Sequence, residues 1–136
     1  MTPAELVLDA SVVVRGLLLS DGSAVGLVDD IAKGAVVAHG PDLVVPEVTN
    51  ALRTHVVGAG RWPLEAAQER LSTFLALPIA IQPCMPLAPA ALTTAVERGF
   101  SAYDAFYAVL AEALDVPLAT ADRRLAAAVP NAILVS

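Results

Sequence analysis

This sequence is short of cysteine, histidine and basic residues, and each shortage removes a class of chemistry. Its single cysteine, Cys84, has no partner for an intrachain disulfide and cannot build a thiolate cluster around a metal. The two histidines, His39 and His55, stand 16 residues apart and match no zinc-binding spacing. Lys33 is the only lysine, and eight basic residues against 14 acidic ones leave a net charge of −6. That balance excludes tight, non-specific binding of nucleic acid over a broad basic surface, because such binding rests on neutralising phosphates with Lys and Arg. Contact with a polyanion therefore needs a bound cation or a local cluster drawn from Arg15, Arg53, Arg61, Arg123 and Arg124.

A membrane-spanning run is missing as well. Leu6 to Leu19 is nearly all apolar, but Asp9 and Arg15 interrupt it, and a spanning helix needs about 20 such residues. The first residues carry Glu5 where a secretory signal would carry basic side chains. These features predict a cytoplasmic protein with no membrane partner, in a compartment where one free thiol is unremarkable. What the chain has in excess is apolar side chain, 57% of 136 residues with a mean hydropathy of +0.68. That length predicts one domain over residues 1–136, with much of the chain interior or interface.

The apolar pattern alternates between strand and helix. Glu5 to Asp9 reads as a short strand whose consecutive Leu6, Val7 and Leu8 suit a parallel sheet covered on both faces. A helical stretch is expected through Leu17 to Ile31 once the Asp21-Gly22-Ser23 turn is passed, and a second strand over Ala35 to Ala38, closed by Gly40, Pro41 and Asp42. Pro46 suits the first turn of the next helix, along which Val48, Leu52 and Val56 form an apolar stripe. Trp62 to Leu75 is expected to be helical, Ile79 to Gln82 a strand, and Pro83, Pro86 and Pro89 a turn. Ala90 to Arg98 reads as a helix ending at Gly99. Ser101 and Asp104 then form a capping box for a helix whose apolar face is Tyr103, Phe106, Tyr107, Leu110 and Leu114. A strand over Val116 to Thr120, a short helix from Arg123 and a strand over Ala132 to Val135 complete the order. Such alternation predicts an α/β fold: four to five parallel strands joined by right-handed crossovers, with helices on both faces.

Ligands of open parallel sheets bind at the carboxyl ends of the strands. Asp9 ends the first strand, Asp122 follows the fourth by two residues, and Glu47 and Asp104 lie in first turns of helices. Helices that start at that edge bring the four carboxylates together. Like charges a few ångström apart repel, and a divalent cation removes the repulsion. An all-oxygen ligand set suits Mg²⁺ or Mn²⁺ and not Zn²⁺. Such an ion presents a bound water as nucleophile and polarises a phosphoryl oxygen, with one acid free to orient or deprotonate the water. Ser11 and Thr120 are candidate supporting hydroxyls, and Asn50 shares a helix face with Glu47. Taken singly, each acid also has an ordinary reading as a strand-end, dipole-complementing or capping residue.

Four segments resemble the signature segments of PIN domains, most closely those of VapC-type toxins. They are Leu6-Val7-Leu8-Asp9-Ala10-Ser11, Val45-Pro46-Glu47-Val48 with Asn50-Ala51-Leu52, Ser101 to Ala108, and Leu118 to Leu125. The resemblance spans nearly the whole chain. It implies a Rossmann-like, three-layer α/β/α PIN fold and an Mg²⁺- or Mn²⁺-dependent endoribonuclease that cleaves single-stranded or loop RNA. It further implies that Asp9, Glu47, Asp104 and Asp122 form the catalytic, metal-binding quartet, with Ser11 and Thr120 in support. The partners it implies are an RNA substrate, a second copy in a homodimer, and a small antitoxin that silences the toxin. One departure is that Arg123 and Arg124 follow the fourth acid where some relatives carry another acid.

Two other layouts that gather acids at strand ends are excluded. An Asp-nucleophile phosphatase needs a second aspartate at the position of Ser11, and a phospho-receiver needs a lysine after the last strand. A catalytically silent PIN-like module that binds RNA or a partner is the remaining alternative, and retention of all four acids speaks against it.

Overall fold

The computed structural model describes residues 3–136; residues 1 and 2 of the expected domain lie outside them. Five parallel strands form one sheet in the order β3-β2-β1-β4-β5, with β1 (Glu5–Leu8), β2 (Val37–Pro41), β3 (Ile79–Gln82), β4 (Leu118–Thr120) and β5 (Ile133–Leu134). The central strand is β1, with Val7 in register with His39 of β2 on one side and Leu118 of β4 on the other. Successive side chains of a strand point to opposite faces. Leu6, Val7 and Leu8 are all fully buried, so both faces of the sheet are covered, as the unbroken apolar run predicts.

Seven α-helices connect and flank the strands: α1 (Ala10–Leu18), α2 (Ser23–Ala32), α3 (Val44–Ala51), α4 (Leu64–Leu75), α5 (Ala88–Arg98), α6 (Ala102–Leu114) and α7 (Arg123–Ala128). Ser101 caps α6 by accepting the Asp104 backbone N–H, so the expected capping residue is in place. Beyond α3 the backbone continues as a π-helical turn, Leu52–Val57, closed by the Gly58 N–H on the Arg53 carbonyl at 2.8 Å.

Several boundaries differ from the sequence reading. The helical stretch expected through Leu17 to Ile31 begins earlier, at Ala10, and is two helices, α1 and α2, bent by 99° to each other at the expected Asp21-Gly22-Ser23 turn. The break falls at Leu19 to Gly22, where Gly22 has φ +106°, a conformation open to glycine. The Val12-Val13-Val14 run that opens α1 has poor intrinsic helix propensity. Burial of Val12 and Val13 in the core overrides it. The second strand is Val37–Pro41 and not Ala35 to Ala38, because the Ala35 and Val36 N–H groups both bond the Asp30 carbonyl and stay with the end of α2. Gly40 and Pro41 continue the strand against β3 instead of closing it, and Pro41 lies past the last residue paired with β1, so its missing N–H costs no bond there. Trp62 precedes α4, β4 begins at Leu118, and Tyr103 and Leu114 of α6 are exposed; only Tyr107 and Leu110 of that expected face are fully buried.

Among the described residues no single helix is long and apolar enough to cross a membrane. The bend between α1 and α2 depends on Gly16, where a Cβ would overlap Val28 Cγ2 and lie 3.0 Å from the Ala24 carbonyl oxygen. We expect Gly16→Ala to cost about 1–3 kcal/mol of stability, as overpacking does. A urea unfolding curve that matches the native protein would show that the two helices separate freely.

Candidate active site

The end of β1 and the end of β4 are tied by a hydroxyl network that converges on one oxygen. Asp9 Oδ2 accepts from Ser11 Oγ at 2.6 Å and from Thr120 Oγ1 at 2.7 Å. Each hydroxyl has one proton, so both are spent on Asp9, and each oxygen is left to accept. Ser11 Oγ accepts the Ala121 N–H and Thr120 Oγ1 accepts the Asp122 N–H, both at 3.0 Å. Thr120 is fully buried and Asp9 is 7% exposed, and with the hydroxyl-bearing Tyr107 they are the most deeply placed polar groups of the site. Burial pushes the Asp9 carboxyl above its ordinary range; the Ser11 and Thr120 bonds oppose the shift and the nearby Asp122 charge adds to it.

Glu47, in the first turn of α3, is held from a different element. Tyr107 on α6 donates its hydroxyl to Glu47 Oε1 at 2.6 Å. Burial raises the Glu47 carboxyl above the usual value, the Tyr107 bond lowers it, and the charges of Asp9 and Asp104 raise it again. The same burial and the Glu47 contact keep the Tyr107 phenol protonated. Asp104, in the first turn of α6, is also raised, first by burial and then by Asp9 and Asp122, against Ser101 and Arg124. Asp122 caps α7 by accepting the Arg124 N–H at 2.9 Å and the Leu125 N–H at 3.2 Å.

All four acids line one open cleft of about 410 Å³, together with Ser11, Val14, Arg15, Ala51 and His55. The structure therefore brings together the acids that the sequence reading selects. Ser11 and Thr120 stand beside Asp9. Asn50 is exposed and does not line the cleft; Ala51 and His55, four and eight residues after Glu47, do. Tyr107 and His55 are the site residues that sequence reasoning passes over, whereas Arg15 belongs to the arginines it sets aside for contact with a polyanion. A tyrosine on an apolar helix face does carry a signal, since a buried hydroxyl needs a partner.

Among the described residues no three His, Cys, Asp or Glu side chains are close enough to enclose a metal ion by themselves. The acids form an open cleft, not a closed cage. That donor set fits a hard divalent cation, which keeps several waters and takes one or two carboxylates from the protein, and it does not fit a structural zinc site.

A twisted parallel sheet with acids gathered at its carboxyl edge defines a class of Rossmann-like α/β proteins with a polar site outside the strand ends. The PIN-domain family model matches residues 6–129, and the chain belongs to the PIN-domain family. It is 37% identical over 127 residues to Ribonuclease VapC1 of Mycobacterium tuberculosis, covering 91% of this chain and 90% of that protein. Among solved structures it is similar to PAE2754 of Pyrobaculum aerophilum, with a TM-score of 0.78 and 30% identity over 96% of this chain and 83% of that one. The fold is also that of Mycobacterium tuberculosis VapC20, a Sarcin-Ricin loop cleaving toxin, with a TM-score of 0.71 at 16% identity over 96% and 99% of the two chains.

Proposed function

We propose that residues 1–136 act as one PIN-like nuclease domain, an endoribonuclease that cleaves single-stranded or loop RNA in the cytoplasm as the toxin of a type II toxin–antitoxin pair. The observation that carries this reading is the meeting of Asp9, Glu47, Asp104 and Asp122 in one cleft of a chain 37% identical to a ribonuclease of the same family. In it, the four acids would hold Mg²⁺ or Mn²⁺, some directly and others through the ion's bound waters, and the ion would supply positive charge at the scissile phosphate and a water of lowered pKa. Ser11 and Thr120 fix the orientation of Asp9 by occupying one of its oxygens. Tyr107 does the same for Glu47 by donating to one of its two oxygens.

The test is direct. Purified protein with a single-stranded RNA and Mg²⁺ or Mn²⁺ should produce internal cuts, and EDTA should stop them. Intact RNA under all conditions would instead favour a silent binding module.

The same reading has partners. The exposed Met85, Leu92 and Val96 near and along α5 supply apolar surface of the kind that a homodimer covers. A small antitoxin would silence the site most simply with an arginine, whose planar guanidinium bridges carboxylates in place of the cation. Its apolar segment has a seat of about 180 Å³ lined by Leu52, Val57, Leu64 and Leu71. Co-expression with the small protein encoded beside this chain should rescue growth, and changing that protein's inserted arginine to alanine should restore RNA cleavage. A partner that binds without affecting cleavage counts against the toxin reading.

A further inference from the structure

The acidic cleft does not end at its acids. It shares Val14 and Arg15 with a neighbouring cleft of about 310 Å³ that runs between α1 and the π-helical turn, lined also by Leu18, Leu19, Val56, Arg61 and Trp62. That cleft in turn shares Trp62 with a third, of about 220 Å³, in which Arg70 lies over the indole with its guanidinium carbon 5.2 Å from the ring centroid. The first two clefts adjoin along Val14 and Arg15, and Trp62 stands between the second and the third. No acid lines the second cleft, although the chain carries 14 of them. Arg15 and Arg61 take part in none of the three ion pairs among the described residues, which are Lys33–Asp29, His39–Glu5 and Arg98–Glu112. Two guanidiniums without ion-pair partners on this acid-free second cleft, a channel between α1 and the π-helical turn, are a local positive surface on a negative protein.

We infer that this channel is a seat for single-stranded RNA, in which Arg15 and Arg61 hold backbone phosphates and one base stacks on Trp62, placing the next phosphates over the acidic cleft. Guanidinium forks match phosphate oxygens, and an indole offers a platform to any base. Arg70 braces the ring from the neighbouring cleft by a cation–π contact. This placement rests on the nuclease reading for its direction, toward the acids. It also answers the difficulty raised by the net charge of −6, because affinity comes from two arginines and a stacking surface instead of a broad basic face.

The test is binding of a fluorescein-labelled, mixed-sequence RNA strand of about 12 nucleotides to the full chain in EDTA, followed by anisotropy over a range of KCl concentrations. Arg15→Gln and Arg61→Gln should each weaken binding several-fold and each reduce the slope of log Kd against log salt by about 0.7, the value for one single-strand phosphate contact. Trp62→Leu should weaken binding roughly tenfold with the slope unchanged, and this loss should vanish for an abasic strand of the same length. Trp62 is the only tryptophan, so its emission reports stacking without any substitution. The RNA should quench it and the abasic strand should not.

Native affinity and slope in all three variants, or emission indifferent to RNA, overturns the inference, including the case in which the apolar wall of Leu18, Leu19 and Val56 seats a protein helix. The nuclease reading is scored separately. If the native protein cuts RNA and the variants bind normally, only the channel fails. If it cuts no RNA and the variants lose binding as described, the channel stands and the nuclease reading fails.

Discussion

Asp9→Asn and Asp104→Asn should each reduce RNA cleavage by about a hundredfold or more, the order of loss when one preorganised group is removed from a site of electrostatic catalysis. Both substitutions keep the fold. The amide oxygen of an asparagine at position 9 still accepts from Ser11 and Thr120, and the cap at the start of α6 uses the backbone N–H of residue 104, which the substitution leaves in place. Circular dichroism should therefore match the native protein while cleavage disappears. Native-like, metal-dependent cutting by either purified variant would show that the cleft is not where the reaction occurs.

The second large effect is on stability. Asp9, Glu47 and Asp104 all have carboxyls raised in the folded protein, chiefly by burial and further by the charges of neighbouring acids, Asp122 among them. A raised carboxyl binds its proton more tightly folded than unfolded, so lowering the pH through the raised values toward the ordinary ones stabilises the fold. At neutral pH that gain is absent, and the ionised cluster is a cost. In EDTA the melting temperature should rise as the pH falls from 7.5 toward 5, and Asp9→Asn should flatten the dependence while melting higher than the native protein at pH 7.5. A divalent cation supplies the same relief at neutral pH. Mn²⁺ at a hundredfold excess over its Kd should add about 2.7 kcal/mol, a rise of roughly 10 °C for a domain of this size, and Asp9→Asn should lose most of it. A melting temperature in EDTA that falls steadily with pH over this window would mean that the carboxylates are stabilised by partners and not strained by one another.

The site was more legible than the secondary structure around it. Asp9, Asp104 and Asp122 follow from local rules: an acid after an apolar strand, an acid in a capping box, an acid before a short helix. Their convergence needs only the alternation of strand and helix. The turn between α1 and α2 was legible at Asp21-Gly22-Ser23, but α1 itself was not, because its triple valine carries a strand-like propensity and only the packing of Val12 and Val13 decides for helix. The extension of β2 through Gly40 and Pro41 was hidden for the opposite reason: both residues signal a turn, and pairing with β3 overrides the signal. Tyr107 was assigned correctly to a buried face, but its hydroxyl's partner, Glu47, is 60 residues earlier and lies on another element. The channel through Arg15, Arg61 and Trp62 joins α1 to the segment before α4, and no local pattern links them.

The bond from Thr120 to Asp9 spans 111 residues of chain and closes the strand order at its centre, where β1 waits for β4. Synthesis runs from one end, at about 5–20 residues per second. For most of that time β1 has only β2 beside it, Asp9 lacks one of its two hydroxyl partners, and neither Asp104 nor Asp122 has emerged until late. A growing chain, surrounded by the RNA of the ribosome, therefore lacks the complete cleft until β4 and Asp122 have been made, and a chain that stops short of β4 never completes it.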